Sequence, residues 1–356
     1  MSSTLPRAAA EDEDAVAEIM RRGGPRLQER MRDTEEHLEH VTSQAGVPLA
    51  AHATATVAAG GKRLRPLLVV LACEAAGGPQ AHGGSSADRA DSEQALVRAA
   101  VAVELVHSAT LVHDDVIDGA ELRRGHPTVV ADAGRGAAIA TGDLLFSRAF
   151  AELARNGDLE QLRALSDASS ALAAGELLQR EDAYAARVAV ERYLRRCELK
   201  TAALFEAACR LGALVAGGTR AAGRPAGTLA DGLGAFARRI GLAFQLLDDV
   251  LDVSGPVERT GKTRGTDLLD GTVTLPLILA QERDERLATL DLASLRGPEE
   301  AAELCDRIAA TGALREARAR ALAFVAEAKA ALPKLLPRER AALLDLVADA
   351  VVERYR

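Results

Sequence analysis

The sequence predicts an all-α protein folded as a single helical domain, and three observations carry that prediction. Apolar residues recur at helical spacing from about Asp14 almost to the C-terminus. Ala, Leu, Arg and Glu, which suit helix interiors, are abundant throughout. Period-2 alternation of β-branched residues is missing over any useful length, and aromatic residues make up only 3% of the chain, with no Trp; a β-sandwich or barrel would use far more of both. The 356 residues are 48% apolar and 27% charged, a globular composition long enough to bury a sizeable core. No shift of composition divides them into two folding units.

The elements follow in order. Residues 1–12 are small, polar and acidic and read as a disordered tail, with the folded domain over 13–356. The Gly/Ser/Asp-rich stretch 77–92 is a loop. A helix then spans about 93–118 and stops at Gly119, and another spans 136–155 before Asn156-Gly157. Further helices are predicted over about 159–187, 190–215 and 226–253, the last two separated by a Gly/Pro-rich turn. A polar loop over 254–271 leads to C-terminal helices at about 275–285, 299–310, 314–332 and 339–354.

Charge and cysteine usage exclude several classes. Lys and Arg number 44 against 52 Asp and Glu, a net charge of −8, which is not the electrostatic footprint of a nucleic-acid-binding protein. Cys73, Cys197, Cys209 and Cys305 form no CxxC pair and no disulfide framework, and read as buried small hydrophobes in a reducing compartment. The N-terminus lacks the apolar core of a signal peptide, and no apolar run approaches the ~20 residues of a membrane span. The expectation is a cytoplasmic protein with no transmembrane segment.

The chemistry lies in an echo. Leu111-Val112-His113-Asp114-Asp115-Val116-Ile117-Asp118 returns as Leu246-Leu247-Asp248-Asp249-Val250-Leu251-Asp252. In a helix, positions i and i+4 share a face, so each copy projects two carboxylates together and a third at the flank. Both copies fall at the C-terminal end of a long apolar helix, where the dipole disfavours negative charge. One copy is compatible with a solvated acidic face; folding has no use for two. Divalent cations remove the conflict, because Mg²⁺ takes carboxylate, water and phosphate oxygens.

Basic residues complete a phosphate site. Gly60-Gly61-Lys62-Arg63-Leu64-Arg65-Pro66 opens an apolar helix; its glycines permit close backbone approach, and its Lys and Arg bind phosphate as point charge and fork. Arg123-Arg124 follows the first acidic motif, Lys200-Thr201 lies mid-helix, and Gly261-Lys262 follows the second motif. His107 sits two helical turns before Asp114 on the same face, and Gln245 one turn before Asp249. His113 reads as structural.

At these residues the chain resembles the all-trans isoprenyl diphosphate synthases, the polyprenyl synthetase family. GGKRLRP, HSATLVHDDVIDGAELRRG, GELLQ, KTAALFEAA, FQLLDDVLD and GKTRGTD are similar to that family's motifs, in the family's order, over roughly residues 45–280. The resemblance implies helices around a central active-site cavity, usually in a homodimer. It implies a prenyltransferase that uses Mg²⁺, about three ions per active site, to join isopentenyl diphosphate to an allylic prenyl diphosphate. Asp114 and Asp118 would then bind Mg²⁺, with Asp115 in support. Asp248 and Asp252, with Asp249 between them, would hold a further ion. Arg123, Lys200 and Lys262 would contact the allylic diphosphate, and Lys62, Arg65, His107 and Arg124 the isopentenyl diphosphate. Thr201 and Gln245 would line the substrate site.

Product length is expected to depend on the residues four and five positions before Asp114, Thr110 and Ala109. Family members that stop early tend to carry a bulky aromatic there. The small residues here, and GELLQ at 175–179, point to a long-chain product such as a quinone side chain. A geranylgeranyl diphosphate synthase is the alternative. A class I terpene cyclase would line its pocket with aromatics, which this chain lacks, and a non-catalytic partner subunit would not be expected to keep both acidic motifs.

Overall fold

The structure is a computed structural model describing residues 7–44, 46, 49–79, 86–217, 226–255 and 264–353. The described residues form helices and one two-stranded hairpin. In chain order these are α1 (Arg7–Ser43), α2 (Leu49–Ala58), α3 (Leu64–Ala76), α4 (Ser86–Asp118), β1 (Leu122–Arg123), β2 (His126–Pro127), α5 (Val129–Ala154), α6 (Leu159–Asp182) and α7 (Val190–Cys197). A single π-helical turn (Glu198–Ala202) joins α7 to α8 (Ala203–Val215). Then come α9 (Ala226–Ser254), α10 (Thr266–Leu269), α11 (Leu275–Gln281), α12 (Glu285–Ala288), a 3₁₀ turn (Leu292–Ser294), α13 (Pro298–Ala310), α14 (Ala313–Leu335) and α15 (Arg338–Glu353).

The all-α class stands, and most predicted boundaries fall within a few residues of the observed ones. α4 starts at Ser86, inside the stretch 77–92 read as a loop; α5 starts at Val129, seven residues before the predicted 136; and α10 lies inside the predicted loop 254–271. Three further things differ. α1 begins at Arg7, inside the stretch read as a disordered tail; residues 1–6 lie outside the described residues. The predicted helix 190–215 is two α-helices around the π turn. The hairpin was invisible to periodicity because each strand has two residues, with Leu122 opposite Pro127 and Arg123 opposite His126. Its turn residues, Arg124 (φ 53°) and Gly125 (φ 80°), both take positive φ, the type I′ pattern that closes two-residue hairpins.

Helix starts obey local chemistry. Thr128 Oγ1 accepts the Ala131 N–H at 3.2 Å to open α5, and Asp158 accepts from Glu160 at 2.8 Å to open α6. The core centres on α4. Its run Leu96 to Val106 is almost wholly buried against α3, α5 and α8. Contrary to the sequence reading, one apolar stretch does reach the length of a membrane span: Ala90–Asp118 within α4, although 67% of its most apolar window is buried inside the fold, as befits a core helix. α9 packs on α8, α14 and the π turn. All four cysteines are free and buried. The end of α4, with its acidic motif, thus meets the hairpin and α6, and α9, which ends in the other, meets the π turn and α7.

Candidate active site

The first acidic motif closes α4, and its carboxylates differ in surroundings. Asp115 is buried and takes two bonds from Arg123 of the hairpin, at 2.8 and 2.6 Å. Asp118 is exposed and bonded by Arg180 of α6. Asp114 is half-buried; burial, reinforced by Glu176 and Asp118, pushes its carboxyl up to about 6 against the pull of Lys200 and Arg123. Lys200 Nζ lies 2.5 Å from Glu176 Oε2, and Glu176 Oε1 also accepts from Arg180 at 3.1 Å. That meeting depends on Gly175, where a Cβ would come within 2.6 Å of the Lys200 backbone nitrogen.

The π turn sets where Lys200 and its neighbour point. The Ala203 N–H returns to the Glu198 carbonyl five residues back, so one extra residue is inserted into the helical path. Lys200 reaches α6, while Thr201 reaches α9, where its hydroxyl donates to Gln245 Oε1 at 2.7 Å. α9 comes this close because residue 241 is glycine; a Cβ there would be 2.8 Å from Ala202 Cα.

The second acidic motif closes α9. Asp249 is buried, accepting from the Gln245 amide at 2.8 Å and from the Tyr193 hydroxyl at 2.6 Å. Burial, then Asp267 and Asp248, push its carboxyl well above the ordinary carboxylate range. Asp252 is half-buried and likewise pushed up, by burial and by Asp267, although the Asp267 N–H, 3.4 Å from its Oδ2, opposes this. Asp248 is half-buried one residue before Asp249. Lys262 lies outside the described residues.

A basic cluster gathers around His107 from the start of α3 and from the hairpin. Arg63 spends its charge on Glu35 and Glu104, at 2.7 and 3.0 Å. Arg65 is left with a buried Nε that has no hydrogen-bond partner among the described residues, its guanidinium 5.0 Å over the Phe205 ring. Burial chiefly, with Arg124 adding and Glu104 opposing, pulls the Arg65 guanidinium down to about 10, still charged at neutral pH. Arg124 reaches from the hairpin to Gly61, next to Lys62, where a Cβ would lie 3.0 Å from its Nη1. His107 sits among these cations; burial, then Arg65, Arg124, Arg123 and Arg63, hold its pKa well below the usual histidine value, so the ring is neutral. An anion is the natural complement of such a cluster.

Thr110 is half-buried on the Asp114 face of α4, its hydroxyl bonded at 2.8 Å to the His107 carbonyl, and Ala109 is fully buried. His113 turns away, toward α5, with Nε2 3.3 Å from the Ile139 carbonyl and its ring 5.9 Å from Phe146. The donors beside the two motifs are therefore oxygens alone, which suits Mg²⁺. Among the described residues no three acidic, His or Cys groups form a closed metal cage, and Mg²⁺ usually keeps water and phosphate oxygens in its shell. Glu176, Arg180, Tyr193 and Asp267 belong to the site as well. Glu176 and Asp267 stand inside recognised motifs as single charges without a spacing partner, and Tyr193 carries no sequence signal.

The family model described as polyprenyl synthetase matches residues 47–310. The chain belongs to the polyprenyl synthetase family. As a polyprenyl synthetase it is a prenyltransferase. It is similar to heptaprenyl diphosphate synthase component 2 of Geobacillus stearothermophilus, 39% identical over 253 residues, 71% of this chain and 72% of that one. It is also similar to a geranylgeranyl diphosphate synthase of Methanosarcina mazei, 34% identical over 305 residues, 84% and 87% of the two chains. A decaprenyl diphosphate synthase structure from Rhodobacter capsulatus superposes with a TM-score of 0.81 at 31% identity, over 93% of this chain and 97% of that one. A polyprenyl synthase of Caulobacter crescentus, solved with calcium and isoprenyl diphosphate, gives 0.81 at 30% identity over 100% of both chains.

Proposed function

We propose that this polyprenyl synthetase is a cytoplasmic long-chain all-trans-polyprenyl diphosphate synthase. It condenses isopentenyl diphosphate head-to-tail onto an allylic prenyl diphosphate and releases pyrophosphate. The observation that carries this reading is the convergence of two carboxylate motifs on one π turn, together with a cluster of guanidiniums around His107 in which Arg65 keeps a buried, unpartnered Nε. Asp114, Asp118, Asp248 and Asp252 would hold Mg²⁺, whose chemistry is to neutralise charge developing on the leaving diphosphate.

The chain's own residues do the rest. Lys200, held by Glu176 beside Asp114, and Arg123 supply positive charge to the allylic diphosphate, with Lys262 from the loop. Arg65, Arg124 and Lys62 clamp the second diphosphate, and neutral His107 donates one N–H to it. The apolar length of α4 leading to Asp114 keeps water from the allylic cation. No side-chain base is needed, since the departing pyrophosphate can take the proton lost after attack. α4 bears no Phe, Tyr or Trp, and the residues one turn below Asp114, Thr110 and Ala109, are small, which supports a long product; so do the heptaprenyl and decaprenyl names among the relatives.

The test is one incubation of labelled isopentenyl diphosphate and farnesyl diphosphate with the purified protein, with Mg²⁺ or with chelator, the products sized after phosphatase treatment. A Mg²⁺-dependent ladder ending in one long prenol is the expected result. A stop at geranylgeraniol would keep the chemistry and overturn the length. We take the active form to be a homodimer. A second reading is favoured by the relative's designation as component 2: this chain then needs a different second subunit, and the purified chain alone would incorporate nothing.

A further inference from the structure

Asp249 stands between two carboxylates assigned to the diphosphate site, yet it is spoken for from both sides. It is only 4% exposed, its Oδ1 takes the Gln245 amide and its Oδ2 the Tyr193 hydroxyl. The bonds run in one line. Tyr193 on α7 donates to Asp249, Gln245 one turn earlier on α9 donates to the same carboxylate, and Thr201 of the π turn donates to Gln245. The next residue, Lys200, continues to Glu176 beside Asp114.

Tyr193 is the fixed end of this line. Its ring is wholly buried with the Arg196 guanidinium 5.3 Å above it. Arg196 donates to the Val273 carbonyl at 2.6 Å, and Arg192 of the same helix bonds Asp182 at the end of α6 at 2.5 Å. α7 is thereby tied to α6 and to the segment following the acidic motif's loop. Burial, with Asp249 adding to it, keeps the Tyr193 phenol protonated far above neutral pH, so it remains a donor. Asp248 and Asp252 are one turn apart on α9, and Asp249 is displaced about 100° from Asp248. A bond that fixes Asp249 therefore fixes the rotation at which the other two are presented.

We infer that Tyr193 is a positioning residue for the second acidic motif: its hydroxyl, acting through Asp249, sets the end of α9 so that Asp248 and Asp252 face the diphosphate and its cations together. The inference rests on the reading of Asp248 and Asp252 as the diphosphate-and-cation side of the site. Groups that orient metal-binding carboxylates typically cost about 10–100-fold in metal affinity when removed.

The test is calorimetric titration of Mg²⁺ with inorganic pyrophosphate into the full-length wild type, Asp248→Asn, Tyr193→Phe, Asp249→Asn and the Tyr193→Phe/Asp249→Asn double variant. Isopentenyl diphosphate binding without Mg²⁺ and thermal melting accompany each titration. Tyr193→Phe removes one oxygen and keeps the ring under Arg196. It is expected to weaken Mg²⁺–pyrophosphate binding about tenfold, to leave metal-free isopentenyl diphosphate binding as in the wild type, and to add nothing in the double variant beyond Asp249→Asn alone. In turnover it raises the Mg²⁺ concentration needed for half-maximal rate while KM for isopentenyl diphosphate stays put. If Asp248→Asn binds as the wild type does, the reading of the motif itself fails. If Asp248→Asn weakens binding and Tyr193→Phe lowers only the melting temperature, the motif stands and the positioning role is wrong.

Discussion

A neutral imidazole surrounded by four guanidiniums is an unusual arrangement, and it makes His107 a reporter of folding. Its folded pKa lies well below that of an exposed histidine, about 6.5. Above that pH both states are neutral and the full stability is present. As pH falls below it, the unfolded chain gains a proton that the folded chain refuses, and stability drops by up to about 1.4 kcal/mol per pH unit. Melting temperatures of wild type and His107→Gln, compared between pH 8 and 5.5, should therefore converge toward acid; the carboxylates titrate alike in both proteins and leave the difference intact. Parallel curves would show that His107 is not buried uncharged. Arg65 is the second lever of this scale. Arg65→Ala should raise KM for isopentenyl diphosphate about 10–100-fold at nearly unchanged kcat, the cost of a charged hydrogen bond made in ground and transition states alike. Thr110→Phe, which fills the half-buried Asp114 face of α4, should shorten the product while turnover persists; unchanged product length would put the tunnel elsewhere. Ala109→Phe should shorten it too, at an overpacking cost of about 1–3 kcal/mol because Ala109 is fully buried.

At the level of elements, the close approach of α6 to the π turn is the step most open to test. Gly175→Ala sets a Cβ against backbone, which cannot yield as a flexible side chain would. The variant should lose about 1–3 kcal/mol of stability and lose kcat with it, because Lys200 and Glu176 are moved apart. Gly136→Ala, where a Cβ meets nothing, is the control and should melt no lower than the wild type. The same scale shows what a reader of the sequence can see. Long helices such as α4, α9 and α14 announce themselves by their apolar runs and spacing, and both acidic motifs are legible because they repeat. The split of residues 190–215 is not legible. A π turn inserts one residue without changing the kind of residue needed, so apolar spacing runs through Cys197 to Ala202 undisturbed. The hairpin escapes for the opposite reason, being too short to have a period at all.

For the whole molecule, the site is a balance of unlike charges held apart by packing. Asp249 and Asp252 have folded pKa values raised by burial and by the charge of Asp267. Stability from such groups is full below the unfolded carboxylate value near 4 and is lost as pH rises through their folded values. Cation binding should reverse that loss. Mg²⁺ with pyrophosphate is expected to raise the melting temperature more at pH 8 than at pH 6, and to release protons, measurable as a buffer-dependent heat. A pH-independent rise would mean the carboxylates are already ionised. Tertiary partners of this kind mark the limit of sequence reading. Nothing in the residues around Tyr193 or Glu176 tells which aspartate or lysine will stand opposite; that is decided by helices meeting from distant parts of the chain.

The π turn carries a consequence for how this protein can vary. Deleting one residue between Glu198 and Ala202 would let the path close into ordinary α-helix, with the faces of α7 and α8 kept and only the side chains within the turn re-aimed. Lys200 and Thr201 could then no longer serve Glu176 and Gln245 at once. A length change that a surface loop would absorb in silence is therefore forbidden here, in a helix whose composition looks tolerant. The chain's reading frame through these five residues is itself a functional group, and a library of single-residue deletions across residues 190–215 should show its sharpest loss of activity there, with folding least affected.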